Sequence, residues 1–130
     1  MGGLTNHREL IAWQQAVNLV ELVYRETATF PKQETYGLAT QMRRSAVSIP
    51  ANIAEGAGRN SAKELIQFLG IASGSKAELD THLEIAHRLG MIQTGSPIFI
   101  QIERVGQLLT ALRKSLQNQL RLGTVRSTND

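Results

Sequence analysis

Apolar residues recur along this chain at alternating steps of three and four, the spacing that gathers them on one stripe of an α-helix. Leu10, Trp13, Val17, Val20 and Tyr24 form the first stripe, and Ala39, Met42, Ala46, Ile49 and Ile53 the second. Leu65, Phe68, Ala72, Leu79 and Ala86 form a third, and Ile98, Ile102, Val105, Leu109, Leu112 and Leu116 a fourth. No segment alternates with period two, so no strand is predicted and the class is all-α. The punctuation agrees. Asn6 with Glu9 resembles a capping box before the first helix, and Phe30 with Pro31 ends it. Ser61 with Glu64 is a capping box of the strict kind, and Gly90 after Leu89 a C-terminal cap. Ser96 caps the fourth helix with Pro97 in its first position. The connections are short, so consecutive helices should be antiparallel neighbours in an up-down-up-down four-helix bundle. One domain is expected over residues 1–130, ordered over 7–122, with the polar tail TVRSTND disordered.

Pro50 interrupts this pattern. Inside a helix, proline removes a backbone bond and crowds the preceding turn, costing about 3 kcal/mol if unrelieved. The second stripe nevertheless runs through it, so one kinked helix is expected, with a break into two helices as the alternative.

Composition narrows the function. Apolar residues make up 42% of the 130-residue chain but aromatics only 5%, so the core must come from Leu, Ile, Val and Ala. Without cysteine there is no thiol catalysis, zinc-thiolate site or disulfide. The start, MGGLTNHREL, carries no signal-like apolar run, and nothing approaches the roughly 18 apolar residues of a membrane span. A soluble, unprocessed, cytoplasmic protein without membrane contact is expected. Net charge is +3, and ten of the 14 basic residues are Arg, whose planar fork suits phosphate. Beyond Glu103 and Arg104, Arg113, Lys114, Arg121 and Arg126 face only Asp130, so the C-terminal end is the most basic part. A polyanionic partner, RNA or DNA, fits that balance; a small chain with few acids is the bland account of it.

The stretch SIPANIAEGAGRNSAKE, residues 48–64, imitates a phosphate loop. Gly56, Gly58 and Asn60 precede a helix much as G-x-G-x-x-G does, but the dinucleotide motif needs a strand before the turn, and helix precedes this one. A simpler anion site survives, in which the free amides opening the third helix act with Arg59 and Lys63. Against it stands a plain corner, where the two glycines end one helix and turn into the next.

A second stripe on the second helix, Gln41, Ser45, Ser48, Asn52 and Glu55, is small and mostly uncharged, unlike an ordinary solvent face. Gly70, Gly74, Ala77 and Thr81 form a matching stripe on the third. Each helical glycine costs about 1 kcal/mol against alanine, so close packing should account for them. Helix or subunit contacts are the preferred reading, with Ser45, Ser48, Asn52, Glu55, Gly70, Gly74 and Glu78 as the expected interface between copies; a ligand-lined polar groove is the alternative. Glu84 and His87 have the E-x-x-H spacing of di-metal bundles, but only one copy is present. Glu78 and His82, four apart, suit a local side-chain contact. No nucleophile, base and acid set is suggested, so no enzyme, cofactor or metal is expected.

The runs YGLATQMRRSAVSIPANIAEGAGR (36–59) and ELIQFLGIASGSKAELDTHLEIAHRLGMI (64–92), with AWQQAV (12–17) and the Phe30–Pro31 pair, resemble a four-helix bundle family first noticed as proteins encoded in intervening sequences of bacterial 23S ribosomal RNA genes. The likeness spans residues 8–122 and is most specific in SIPANIAEG; Gly70 departs from it, standing where a larger, often aromatic residue is expected. The resemblance implies an antiparallel four-helix bundle assembling as a ring-shaped homopentamer. It also implies kinship with the accessory variability proteins of diversity-generating retroelements, basic pentamers that bind a reverse transcriptase and nucleic acid. The expected function is therefore a non-enzymatic oligomer binding RNA or DNA, as accessory to a reverse transcriptase. Arg43, Arg44, Arg59, Lys63, Arg113, Lys114 and Arg121 are the expected phosphate contacts. The alternative is a protein-interaction scaffold without nucleic acid.

Overall fold

The computed structural model describes the backbone of residues 6–129 and the side chains of residues 6–123. The tail TVRSTND is expected to be disordered, but its backbone is helical as far as Asn129. Four helices carry the chain: α1 (Ile11–Thr27), α2 (Leu38–Ala57), α3 (Ala62–Arg88) and α4 (Ile98–Asn129), with short 3-10 turns at His7–Glu9 and Lys32–Glu34. Each helix packs on two neighbours, α1 on α2 and α4, α3 on α2 and α4, and among the described residues no Cα atoms of a diagonal pair come within 8 Å. Cross-helix contacts fix the directions. Gln101 donates to the Gln15 carbonyl, and Ser96, earlier in α4's approach, donates to Glu26, later in α1. Ser48 meets Ser75 at 2.8 Å, whereas a Cβ at Gly56 would meet Leu65 and Phe68. These pairs run in opposite order along their helices, giving the antiparallel up-down-up-down bundle.

The stripes on α2 and α4 enter the core as expected: Met42, Ala46, Ile49 and Ile53 are fully buried, as are Ile98, Val105 and Leu109. On α3, Leu65, Leu69, Ala72, Leu79, Leu83 and Ala86 are buried, while Phe68 lies at the edge. The first helix departs from its predicted stripe. Its buried face is Ala12, Ala16, Leu19 and Val23, one residue round from Leu10, Trp13, Val17 and Val20, which are only half-buried, while Tyr24 is exposed. Small alanines let α1 approach its two neighbours closely, so the bulkier side chains flank the contact instead of filling it.

The ends show which sequence signals act. Ser61 Oγ accepts from the Glu64 amide at 3.3 Å, capping α3 as expected. At the other end, Gly90 sits at φ +77°, with its amide donating to His87 and that of Met91 to Ala86, the paired bonds of a Schellman motif. Asn6 caps a different element from the one expected. Its side chain accepts from the Arg8 amide and closes the 3-10 turn, and α1 begins only at Ile11. Ser96 Oγ accepts from the Ile98 amide at 3.3 Å, and the Pro97 carbonyl accepts the first helical bond of α4 from Gln101. Pro50 lies buried within an unbroken α2. Replacing Ser61 by alanine leaves the Glu64 amide without its partner, and thermal unfolding of Ser61→Ala should show a loss of about 1 kcal/mol.

Candidate nucleic-acid interface

The seven predicted phosphate contacts fall at two ends of the bundle. Arg43 and Arg44 lie near the start of α2, about 20 Å along that helix from the α2–α3 corner. Arg43 is committed within the chain: its Nε donates to Thr27 Oγ1 at 2.9 Å and its guanidinium lies 4.9 Å from the Tyr24 ring centroid. Thr27 in turn donates to the Val23 carbonyl, so the arginine ties α2 to the last turn of α1. Arg44, exposed beside it, borders a groove of about 490 Å³ with Tyr24, Thr40 and Val47.

The remaining cations converge. A Cβ built on Gly70 would stand 3.2 Å from Arg113 Nη2, which sets residue 113 of α4 level with residue 70 of α3. Lys63 lies seven residues, about 10 Å, before Gly70, and Arg121 eight residues, about 12 Å, beyond Arg113. Running antiparallel, the two helices carry Lys63 and Arg121 to the same end, where Lys114 and Lys63 are exposed. Arg59 shares the corner but is partly neutralised by Glu55, 3.0 Å away, and stacks over Phe68 at 5.1 Å. Arg121 donates to Asn118 at 3.2 Å and has no carboxylate partner among the described residues.

Between α3 and α4 this end opens into a recess of about 340 Å³ lined by Ser73, Thr110, Arg113, Lys114 and Gln117, with no carboxylate in its wall. Arg113 Nε is buried there without a hydrogen-bond partner among the described residues. The neighbouring recess, about 590 Å³, shares Ser73 and Thr110 and continues past Lys76 and Gly106 to Glu103. Lys76 repeats the geometry of Arg113 in the opposite direction: a Cβ on Gly106 would stand 2.9 Å from Lys76 Cε. Each helix thus offers a glycine on which the other rests a long cationic side chain.

That pairing bears on Gly70. At this departure from the expected large residue, the Arg113 guanidinium lies in the space a side chain would enter, a neighbour invisible in the local sequence. Gly56 has the same kind of role and is no phosphate loop. It lies inside α2, where a Cβ would meet Phe68 Cβ at 2.7 Å and Leu65 Cα at 3.2 Å. The turn itself is made by Asn60 at φ +61°.

The polar stripe on α2 lies partly inside the chain. Ser45 is buried and its hydroxyl donates back to the Gln41 and Met42 carbonyls. Ser48 bonds Ser75 across the α2–α3 contact, and Asn52 donates to the Ser48 carbonyl at 2.8 Å and to its hydroxyl at 2.9 Å. Glu55, Gly74 and Glu78 are exposed, and a Cβ on Gly74 would meet nothing within 4 Å. Glu84 and His87 go to separate partners. Glu84 accepts from Arg88 Nε at 2.7 Å, and that bond and charge hold its carboxyl below the usual range. His87 pairs with Thr94 at 3.0 Å and meets Phe99 edge-on. His82 Nδ1 is buried with no hydrogen-bond partner among the described residues, which also hold no metal-sized cluster of His, Cys, Asp or Glu. No helix among them is long and apolar enough to cross a membrane.

The family model described as 23S rRNA-intervening sequence protein matches residues 8–111. The chain belongs to that family. Among solved structures, this family member resembles a protein of unknown function from the S23 ribosomal protein family of Bacteroides thetaiotaomicron. The two are 25% identical, with 82% of this chain and 94% of the other covered and a TM-score of 0.59. No curated protein matches the chain. The matched span includes Lys63 and ends at Ala111, so the Arg113, Lys114 and Arg121 half of the basic end lies beyond it.

Proposed function

We propose that this protein binds the phosphate backbone of RNA or DNA through the end of the bundle where α3 begins and α4 runs out, using Lys63, Arg113, Lys114 and Arg121. The observation that carries the reading is a recess lined by Arg113 and Lys114 with no carboxylate in its wall, at the end of the bundle to which antiparallel packing also brings Lys63 and Arg121. Arginine and lysine side chains beside hydroxyls and an amide are the usual composition of backbone contacts, which position a polyanion without reading its sequence. Arg43 and Arg44, at the other end, are not part of this surface.

A gel-shift titration with structured RNA tests the reading. Four phosphate contacts give a log–log salt slope near −3, so raising salt from 50 to 200 mM should weaken binding roughly 50- to 150-fold. Binding that ignores salt, or none at 50 mM, overturns it. The accessory role beside a reverse transcriptase is the narrower form of the same reading, checked by co-purification with such an enzyme.

Self-association is the second part. On α3, Ile71, Gly74, Glu78 and Ile85 follow one another at helical steps on the outer face, with Ile71 52% and Ile85 43% exposed. Exposed isoleucines flanking a bare glycine suit a second copy of the chain, in keeping with the expected homopentamer. Gly74→Gln should leave the helical circular dichroism unchanged yet shift the sedimenting species toward a single subunit. A wild-type chain that sediments as one subunit removes this part and leaves the alternative, an oligomeric scaffold for another protein, without its platform.

A further inference from the structure

We propose that the recess at Arg113 seats a terminal phosphate, the monoester at the end of a nucleic-acid strand, in preference to the diesters along it. The inference rests on the nucleic-acid reading above and names which part of the polymer this recess takes.

Three features of the recess lead there. First, its strongest donor is held in place and unused. Arg113 lies across α3 on Gly70, where a Cβ would stand 3.2 Å from its guanidinium, and its Nε is buried with no acceptor among the described residues. A guanidinium packed in place beside the recess is a cation already positioned, so an anion entering gains more from it than from a freely moving exposed arginine. Second, every polar side chain in the wall can donate: the Arg113 guanidinium, the Lys114 ammonium, the Ser73 and Thr110 hydroxyls and the Gln117 amide. Third, the recess is small, about 340 Å³, and lies between helices in contact, so it admits the end of a strand more readily than the side of a duplex.

Charge selects the monoester. A terminal phosphate carries about −1.5 to −2 at pH 7 and three terminal oxygens, where an internal diester carries one charge and two. Two adjacent cations with no carboxylate between them match the doubly charged group. The neighbouring recess, joined through Ser73 and Thr110, leaves room for the nucleoside that bears it. The same monoester chemistry occurs in inorganic phosphate and in phosphorylated peptides, and the experiment separates these.

Short single-stranded oligoribonucleotides of one sequence are compared by fluorescence anisotropy with a terminal phosphate at the 5′ end, at the 3′ end, or at neither. At pH 7.5 the phosphorylated strands should bind on the order of 10-fold more tightly. The advantage should shrink at pH 5, below the second phosphate pKa of about 6. Arg113→Gln should abolish it. Arg113→Lys, which keeps the charge but lacks Nε, should also lose it and serves where the glutamine variant does not fold. Inorganic phosphate should compete with the phosphorylated strands alone. Equal binding of the three strands overturns this inference while a steep salt slope leaves the backbone reading standing. Failure of every strand to bind overturns both. A phosphoserine peptide binding as tightly as the phosphorylated RNA overturns the assignment to a nucleic-acid end.

Discussion

Replacing Lys63, Arg113, Lys114 and Arg121 together by glutamine should flatten the salt dependence of RNA binding from a log–log slope near −3 to near zero, because each phosphate left without its cation takes about 0.7 to 0.9 from that slope. At 50 mM salt the same variant should bind at least about tenfold more weakly. The four positions act as one surface only because α3 and α4 run antiparallel in the register set by Arg113 on Gly70. The control is Arg44→Gln, an exposed cation near the far end of α2. If the bundle binds RNA as proposed, that substitution changes the slope by less than one; an effect equal to that of the quadruple variant would move the interface to the Tyr24 groove. Circular dichroism guards the comparison, since three of the four side chains are exposed and only Arg113 packs against a facing helix.

Gly56→Val should be the most damaging single substitution at the corner, lowering stability by about 1–3 kcal/mol and the unfolding temperature by several degrees. A Cβ there would stand 2.7 Å from Phe68 Cβ, 2.9 Å from Leu65 Cδ1 and 3.2 Å from Leu65 Cα. The last of these is backbone, so no rotamer change relieves the clash and α2 must move away from α3. Helix propensity works the other way, favouring replacement of a mid-helix glycine by up to about 1 kcal/mol, and the steric cost exceeds it. Gly74→Ala isolates the propensity effect: with nothing within 4 Å of its Cβ, it should raise the unfolding temperature of the single subunit slightly. A Gly56→Val protein as stable as wild type would mean that the α2–α3 crossing is looser than these distances.

Much of the bundle was legible in the residues. Three stripes at helical spacing, the Ser61 cap, the Gly90 stop and the Ser96–Pro97 start are local signals, each acting within one or two turns of the chain, and the helices begin and end where those signals stand. Local signals also misled where a neighbour decided the outcome. Leu10, Trp13, Val17 and Val20 look more core-like than Ala12 and Ala16, yet close packing against two other helices turned the alanine face inward. The α2 polar stripe reads as a helix or subunit contact, and which of the two holds at Ser48 was settled only by its partner, Ser75 of α3. The sequence also presented Gly56 and Gly58 as a candidate phosphate loop and Gly70 as an anomaly.

By itself, then, the sequence determined the four helices, several of their boundaries and a basic, cysteine-free chain, because periodicity, capping and charge are properties of neighbouring residues. Only the tertiary structure decided which cations stand together, which glycines are contact points and which hydroxyls are already paired. Those are relations between residues tens of positions apart, and the antiparallel packing of four helices is what brings such residues within a few ångströms.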